Sequence, residues 1–139
     1  GIFENGWNGL PFALPRADQG VAALLEDLSA RGLLDSTLVV FVGEFGRTPT
    51  IKKGAKRIGR DHWPNAFSAL IAGGDLRMGQ GVGETNSKSE YPQHDPVTPQ
   101  DLLATVYQHL GINYRQEFTN FAGRPVPILP SGRPIQQLL

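Results

Sequence analysis

The chain contains no cysteine, which excludes a disulfide framework, thiolate metal sites and a cysteine nucleophile. The absence does not fix the compartment, because a domain with an adequate core needs no disulfides outside the cell. Net charge is absent too. Thirteen Lys and Arg offset thirteen Asp and Glu, so bulk charge predicts no nucleic-acid and no membrane partner. No apolar run approaches the ~18 residues that cross a bilayer, and no signal peptide is visible. No G-x-x-x-x-G-K-[ST], G-x-G-x-x-G or G-x-S-x-G pattern occurs, so phosphate-cradling loops and the hydrolase serine elbow are excluded. The first residue is Gly1 rather than methionine, and the expectation is that something preceded it: a tag, a processed segment or more of the gene.

A length of 139 residues with 40% hydrophobic and 19% charged content is ordinary for one globular domain. Residues 1–15 mix Gly1, Gly6, Gly9, Pro11 and Pro15 with Phe3, Trp7, Leu10 and Phe12, which reads as irregular structure with aromatic anchors. From Arg16 to Arg31 the pattern becomes helical. Ala17, Val21, Leu24, Leu25 and Leu28 form one stripe, with Gly32 placed to end the helix. Thr37 to Val42 reads as a β-strand apolar on both faces, the pattern of a strand in the middle of a covered sheet. Residues 43–65 read as a long loop carrying Lys52, Lys53, Lys56, Arg57 and Arg60. Ala66 to Ala72 reads as a second buried strand stopped by Gly73 and Gly74, residues 76–85 as a short strand or hairpin, and residues 86–98 as a loop.

A second helix is predicted from Thr98 or Pro99 to Leu110, with Thr98 as N-cap and Gly111 as terminator. Four prolines between Phe118 and Leu139 predict an extended tail lying over the domain. The fold class expected is α/β: a layered fold with a mostly buried mixed sheet flanked by helices, over a single domain 1–139 or the C-terminal portion of a larger one.

Two blocks carry the chemistry: Gly43-Glu44-Phe45-Gly46-Arg47-Thr48-Pro49 and Gly59-Arg60-Asp61-His62-Trp63-Pro64. The first begins where the apolar strand ends, and in open α/β sheets ligands bind at that end. Glu44 and His62 are candidate metal ligands. Asp61 could ligate or orient the imidazole. Arg47, Thr48 and Arg60 are candidate contacts for an anionic group, because guanidinium forks match sulfate and phosphate oxygens. The competing structural readings are a salt bridge from Glu44 to Arg47 or Arg60, a packed loop histidine at His62, and a solvated basic loop. His94 and Asp95 read as exposed loop residues, and His109 as a partner of the helix C-terminus.

The segments ADQGVAALLEDLSARGLLDSTLVVFVGEFGRTP, GRDHWPNAFSALIAGGDLRMGQGVGET and DPVTPQDLLATVYQHLGI together resemble the C-terminal part of a sulfatase-like family of the alkaline phosphatase superfamily. That resemblance implies an alkaline phosphatase-like fold, present in part. It also implies metal-dependent hydrolysis of sulfate or phosphate esters, with a small anionic ester as substrate. The implied cofactor is a divalent metal (Zn, Ca or Mg), Glu44 standing at the position of a metal aspartate and His62 at that of a later metal histidine. The nucleophile is implied to lie upstream of Gly1, and a periplasmic or secreted location is implied as well. Phe45 stands where the superfamily has a second histidine and cannot ligate, so either the metal number changes or two-metal chemistry is lost. Two further readings stand beside the hydrolase: a non-catalytic binding or surface-assembly domain that keeps the fold, and a basic loop that docks a polyanion.

Overall fold

Helix α1 spans Leu10–Ala30, in a computed structural model that describes residues 10–53 and 58–139. The irregular reading of residues 1–15 is corrected over 10–15, which are helical. Pro11 lies in the first turn, where a missing N–H costs nothing, and Leu14 and Ala13 favour helix. Residues 1–9, with Phe3 and Trp7, lie outside the described residues, as do Lys56 and Arg57. The stripe Ala17, Val21, Leu25 and Leu28 is half-buried, while Leu24 is exposed. The helix stops at Gly32, whose φ is +67°. The Leu33 and Gly32 N–H groups donate to the Leu28 and Ser29 carbonyls, the paired bonds of a Schellman cap.

A 3-10 turn at Leu34–Ser36 leads into β1, Leu38–Val42. Four short strands follow: β2 Gly46–Arg47, β3 Lys52–Lys53, β4 Ile58–Gly59 and β5 His62–Trp63. Next comes β6, Ala69–Gly73, which pairs antiparallel with β1 from Leu38↔Gly73 to Val42↔Ala69. Strands β7 (Glu84–Thr85) and β8 (Pro92–His94) precede helix α2, Pro99–His109, and β9 (Glu117–Thr119) and β10 (Pro125–Pro127) follow it. Every described sheet is a two-stranded antiparallel ribbon: β1–β6, β2–β5, β3–β4, β7–β8 and β9–β10. The molecule is thus mixed α/β with two α-helices among the described residues. The single mostly buried mixed sheet expected from the apolar runs is replaced by five separate ribbons. Over its described residues the 43–65 segment is corrected from loop to two short ribbons, β2–β5 and β3–β4, and residues 92–94 from loop to strand.

The core does not sit where the apolar strands predict. Phe41 in β1 is 53% exposed and Leu70 in β6 is 43% exposed, whereas Ala104, Thr105, Ile135 and Leu138 are buried. Packing therefore concentrates between α2 and the C-terminal residues, which close in a 3-10 turn at Gln136–Leu138. Polar bonds fix this joint. The Thr105 hydroxyl donates to the Asp101 carbonyl at 2.8 Å and accepts the Ile135 N–H at 2.9 Å. Asp101 also accepts the Arg133 N–H at 2.7 Å, and the Arg77 N–H donates to the Leu138 carbonyl at 2.8 Å.

Helix α2 begins as its sequence predicts. The Thr98 side chain accepts from the Asp101 N–H and Asp101 accepts from the Thr98 N–H, a reciprocal capping box with Pro99 in the first turn. It ends at Gly111, φ +69°, with the Ile112 and Gly111 N–H groups bonded to the Tyr107 and Gln108 carbonyls. His109, its last residue, packs beside Gly74, where an added Cβ would lie 2.9 Å from the imidazole Cε1.

Candidate functional site: the 44–63 hairpin

The two motif blocks meet in space. In β2–β5, Gly46 lies opposite Trp63 and Arg47 opposite His62. The pairing continues through Thr48, whose N–H donates to the Asp61 carbonyl at 3.0 Å. The Thr48 hydroxyl accepts the Asp61 N–H at 3.1 Å and donates to the Thr50 carbonyl at 3.0 Å. Thr48 therefore spends its hydrogen bonds closing the hairpin. Beyond it the register slips. From Arg47 to Lys52 the outgoing strand advances five residues, while the returning strand covers only three, from Gly59 to His62. Pro49 lies in the longer arm, and it lacks the N–H that a regular ladder needs.

Gly46 sets how tightly this hairpin sits. A Cβ there would lie 1.9 Å from the Ala66 carbonyl oxygen and 3.1 Å from that of Trp63. Only glycine lets the 46–47 segment pass so close to the chain that leads into β6. On the other side of the pairing, the half-buried Trp63 donates its indole N–H to the Glu90 carbonyl at 2.7 Å, and its ring lies 5.7 Å from that of Tyr91. These contacts tie the hairpin to the 86–91 turn. That turn is closed by the Asn86 side chain, which accepts the Glu90 N–H at 2.8 Å.

Three side chains gather around one ring. The Phe45 ring centroid is 4.1 Å from that of His62, at an interplanar angle of 32°. The Arg47 guanidinium lies 5.7 Å from the same Phe45 centroid, within the range of cation–π attraction. Residues directly opposite in an antiparallel pair share a face, so the Arg47–His62 register and the common Phe45 contact are consistent. An imidazole and a guanidinium thus share one aromatic platform, both exposed to solvent. Phe45, which sequence reasoning treats only as a lost ligand, is the piece that organises them. The available signal was its position directly between the acid and Gly46-Arg47.

The remaining candidates separate from this group. Asp61 forms an ion pair with Lys52. Both side chains are well exposed, so the pair contributes about 0–1 kcal/mol. Glu44 and Arg60 are exposed. Among the described residues Glu44 makes no ion pair with Arg47 or Arg60. No group of three or more His, Asp or Glu among the described residues is arranged to hold a metal ion. Glu44, Asp61 and His62 therefore do not by themselves make a cation cage. His94 lies opposite Glu84 in the β7–β8 ribbon. With Asp95 and Gln137 these two line a shallow polar cleft of about 170 Å³, an association that sequence reasoning missed because it read 86–98 as loop.

A family model described as "Protein of unknown function (DUF1501)" matches residues 5–139. The chain belongs to the DUF1501 family. No curated protein and no solved structure matches it. The resemblance to a sulfatase-like family of the alkaline phosphatase superfamily is corrected by this match: the family found is DUF1501, and no sulfatase or alkaline phosphatase family is found. The GEFGRTP and GRDHWP blocks lie within the matched residues. Their meeting in the hairpin is a property of this DUF1501 chain, independent of that resemblance. No described helix is long and apolar enough to cross a membrane.

Proposed function

We propose that the 44–63 hairpin binds the anionic end of a small sulfate or phosphate ester, with Arg47 and His62 as its contacts. The observation that supports this is the shared Phe45 platform, 4.1 Å from the imidazole and 5.7 Å from the guanidinium. An arginine fork offers paired donors to a tetrahedral oxyanion. The aromatic ring holds it without consuming its N–H groups, as a carboxylate partner would. Lys52 is held by Asp61 and contributes less. Arg60, exposed two residues before His62 in the chain, is the second guanidinium we assign to the anion.

A second reading concerns Glu44, which is exposed and makes no ion pair among the described residues. It is the carboxylate that a divalent cation would meet at the end of β1. Metal-dependent hydrolysis of the same ester class therefore stands beside simple binding, with the additional ligands and the nucleophile supplied by groups other than those described.

Thermal unfolding in sulfate and in phosphate, against chloride at matched ionic strength, tests the binding reading. At a hundred times the Kd, a bound anion stabilises the fold by about 2.7 kcal/mol. Arg47→Ala should remove that stabilisation, whereas Lys52→Ala should leave most of it. If neither anion raises the melting temperature of the unaltered chain, the reading is wrong. Adding Zn²⁺, Ca²⁺ or Mg²⁺ separates the second reading: a metal-induced rise in melting temperature that Glu44→Ala abolishes supports it, and a rise that survives Glu44→Ala rules it out.

A further inference from the structure

We propose that the basic segment from Arg47 to Arg60 docks a sulfated polysaccharide, with one sulfate at the Arg47–His62 end and others toward Lys52. The inference rests on the anion-binding reading of the hairpin and names its ligand as a polymer. Charge in this chain is segregated. Of its thirteen Lys and Arg, six fall between residues 47 and 60: Arg47, Lys52, Lys53, Lys56, Arg57 and Arg60. No Asp or Glu falls among them. The other 125 residues hold seven Lys and Arg against all thirteen Asp and Glu. One positive segment thus belongs to an otherwise net negative chain. A polyanion is drawn to that segment and repelled by the remainder.

The ribbons give this charge a length. Arg47 lies opposite His62 in β2–β5, and Lys52 lies opposite Gly59 in β3–β4. Between those two steps the returning strand covers three residues, from Gly59 to His62, or about 10 Å of extended chain. A single sulfate held by Arg47 does not span that distance. A ligand that meets both ends therefore carries several anions on one backbone. Asp61, the acid that follows the segment, forms an ion pair with Lys52. Both side chains are well exposed, and such a pair is weak, so Lys52 can exchange the carboxylate for a sulfate.

The class of polymer follows from what the segment lacks. Single-stranded nucleic acid is held by stacking its bases on aromatic rings, and no aromatic residue occurs between Phe45 and Trp63. The Phe45 ring is already engaged by His62 and Arg47, and the Trp63 indole N–H by the Glu90 carbonyl. Thr48-Pro49-Thr50-Ile51 is an uncharged stretch between Arg47 and Lys52. A polyphosphate would lay unbroken negative charge against it. A sulfated polysaccharide places neutral sugar rings between its anions, which matches cations separated by a neutral stretch.

Heparin is the probe. It should bind the unaltered chain at least about a hundredfold more tightly than free sulfate does, the gain expected when linked groups engage neighbouring contacts. Its affinity should fall on the order of twentyfold between about 50 and 200 mM salt, as several contacts release counterions. K52Q/K53Q should weaken heparin binding about tenfold, while the sulfate-induced rise in melting temperature largely survives. R31Q/R124Q removes the same charge outside the segment and should change heparin affinity less than about twofold. The salt dependence of the unaltered chain decides the matter if a variant fails to fold. Heparin no tighter than sulfate, equal losses in the two double variants, or single-stranded DNA or polyphosphate binding as tightly as heparin would each overturn the proposal. Stabilisation by sulfate without binding of heparin rejects the polymer alone, and failure of both rejects the anion site beneath it.

Discussion

Gly46 illustrates how one residue governs the candidate site. Its hypothetical Cβ meets two backbone oxygens, at 1.9 and 3.1 Å, and neither can rotate away. Gly46→Ala should therefore cost about 3 kcal/mol, the upper range for overpacking, and should move Phe45 relative to His62. Equilibrium urea unfolding reads the first effect, and loss of anion-induced stabilisation reads the second. A fully stable variant would show that the hairpin need not sit so close to Ala66. Asp101 makes a second residue-scale case. Partial burial raises its pKa, but the bonds from the Thr98 hydroxyl, the Arg133 N–H and the Thr98 N–H, with the Arg133 charge, outweigh it and leave the net value below the ordinary 3.8. A carboxylate whose folded pKa is depressed contributes stability that is fully present above its unfolded value and is lost as pH falls through the folded one. Asp101→Asn should accordingly cost about 1 kcal/mol near neutral pH, and the gap from the unaltered chain should close progressively below about pH 4. A gap of constant size from pH 7 to 2 would contradict the assignment.

At the scale of elements, the helices were the most legible part. Stripe periodicity, Thr98 before Pro99, and Gly32 and Gly111 as terminators act within a few residues of chain, so local sequence determines them. The ribbons were less legible, because pairing depends on partners far along the chain. Arg47 and His62 are fifteen residues apart, and the intervening segment has neither a two-residue turn signal nor clean alternation. Sequence reasoning singled out both motif blocks, and it read the segment between them as loop. It could not anticipate that Thr48 would be used up by Asp61, or that Asp61 would pair with Lys52. Trp63 is the element-scale anchor. Trp63→Phe keeps the ring and removes the N–H to the Glu90 carbonyl, so it should cost about 1 kcal/mol. Amide exchange at residues 86–91 should speed up, while exchange within α2 stays unchanged. Equal acceleration in both would show that Trp63 stabilises the whole molecule rather than this junction.

For the molecule as a whole, the distribution of burial departs from what the apolar pattern predicts. The most apolar strand, β1, is largely open, and the buried side chains lie between α2 and the C-terminal turn. Local sequence reports that β1 suits a covered position, but it carries no record of what supplies the cover. The joint between α2 and the C-terminal turn is where the fold is held. Thr105→Val removes the hydroxyl that accepts the Ile135 N–H and should cost about 1–3 kcal/mol, read by equilibrium urea unfolding. A variant as stable as the unaltered chain would show that this joint does not hold the molecule together.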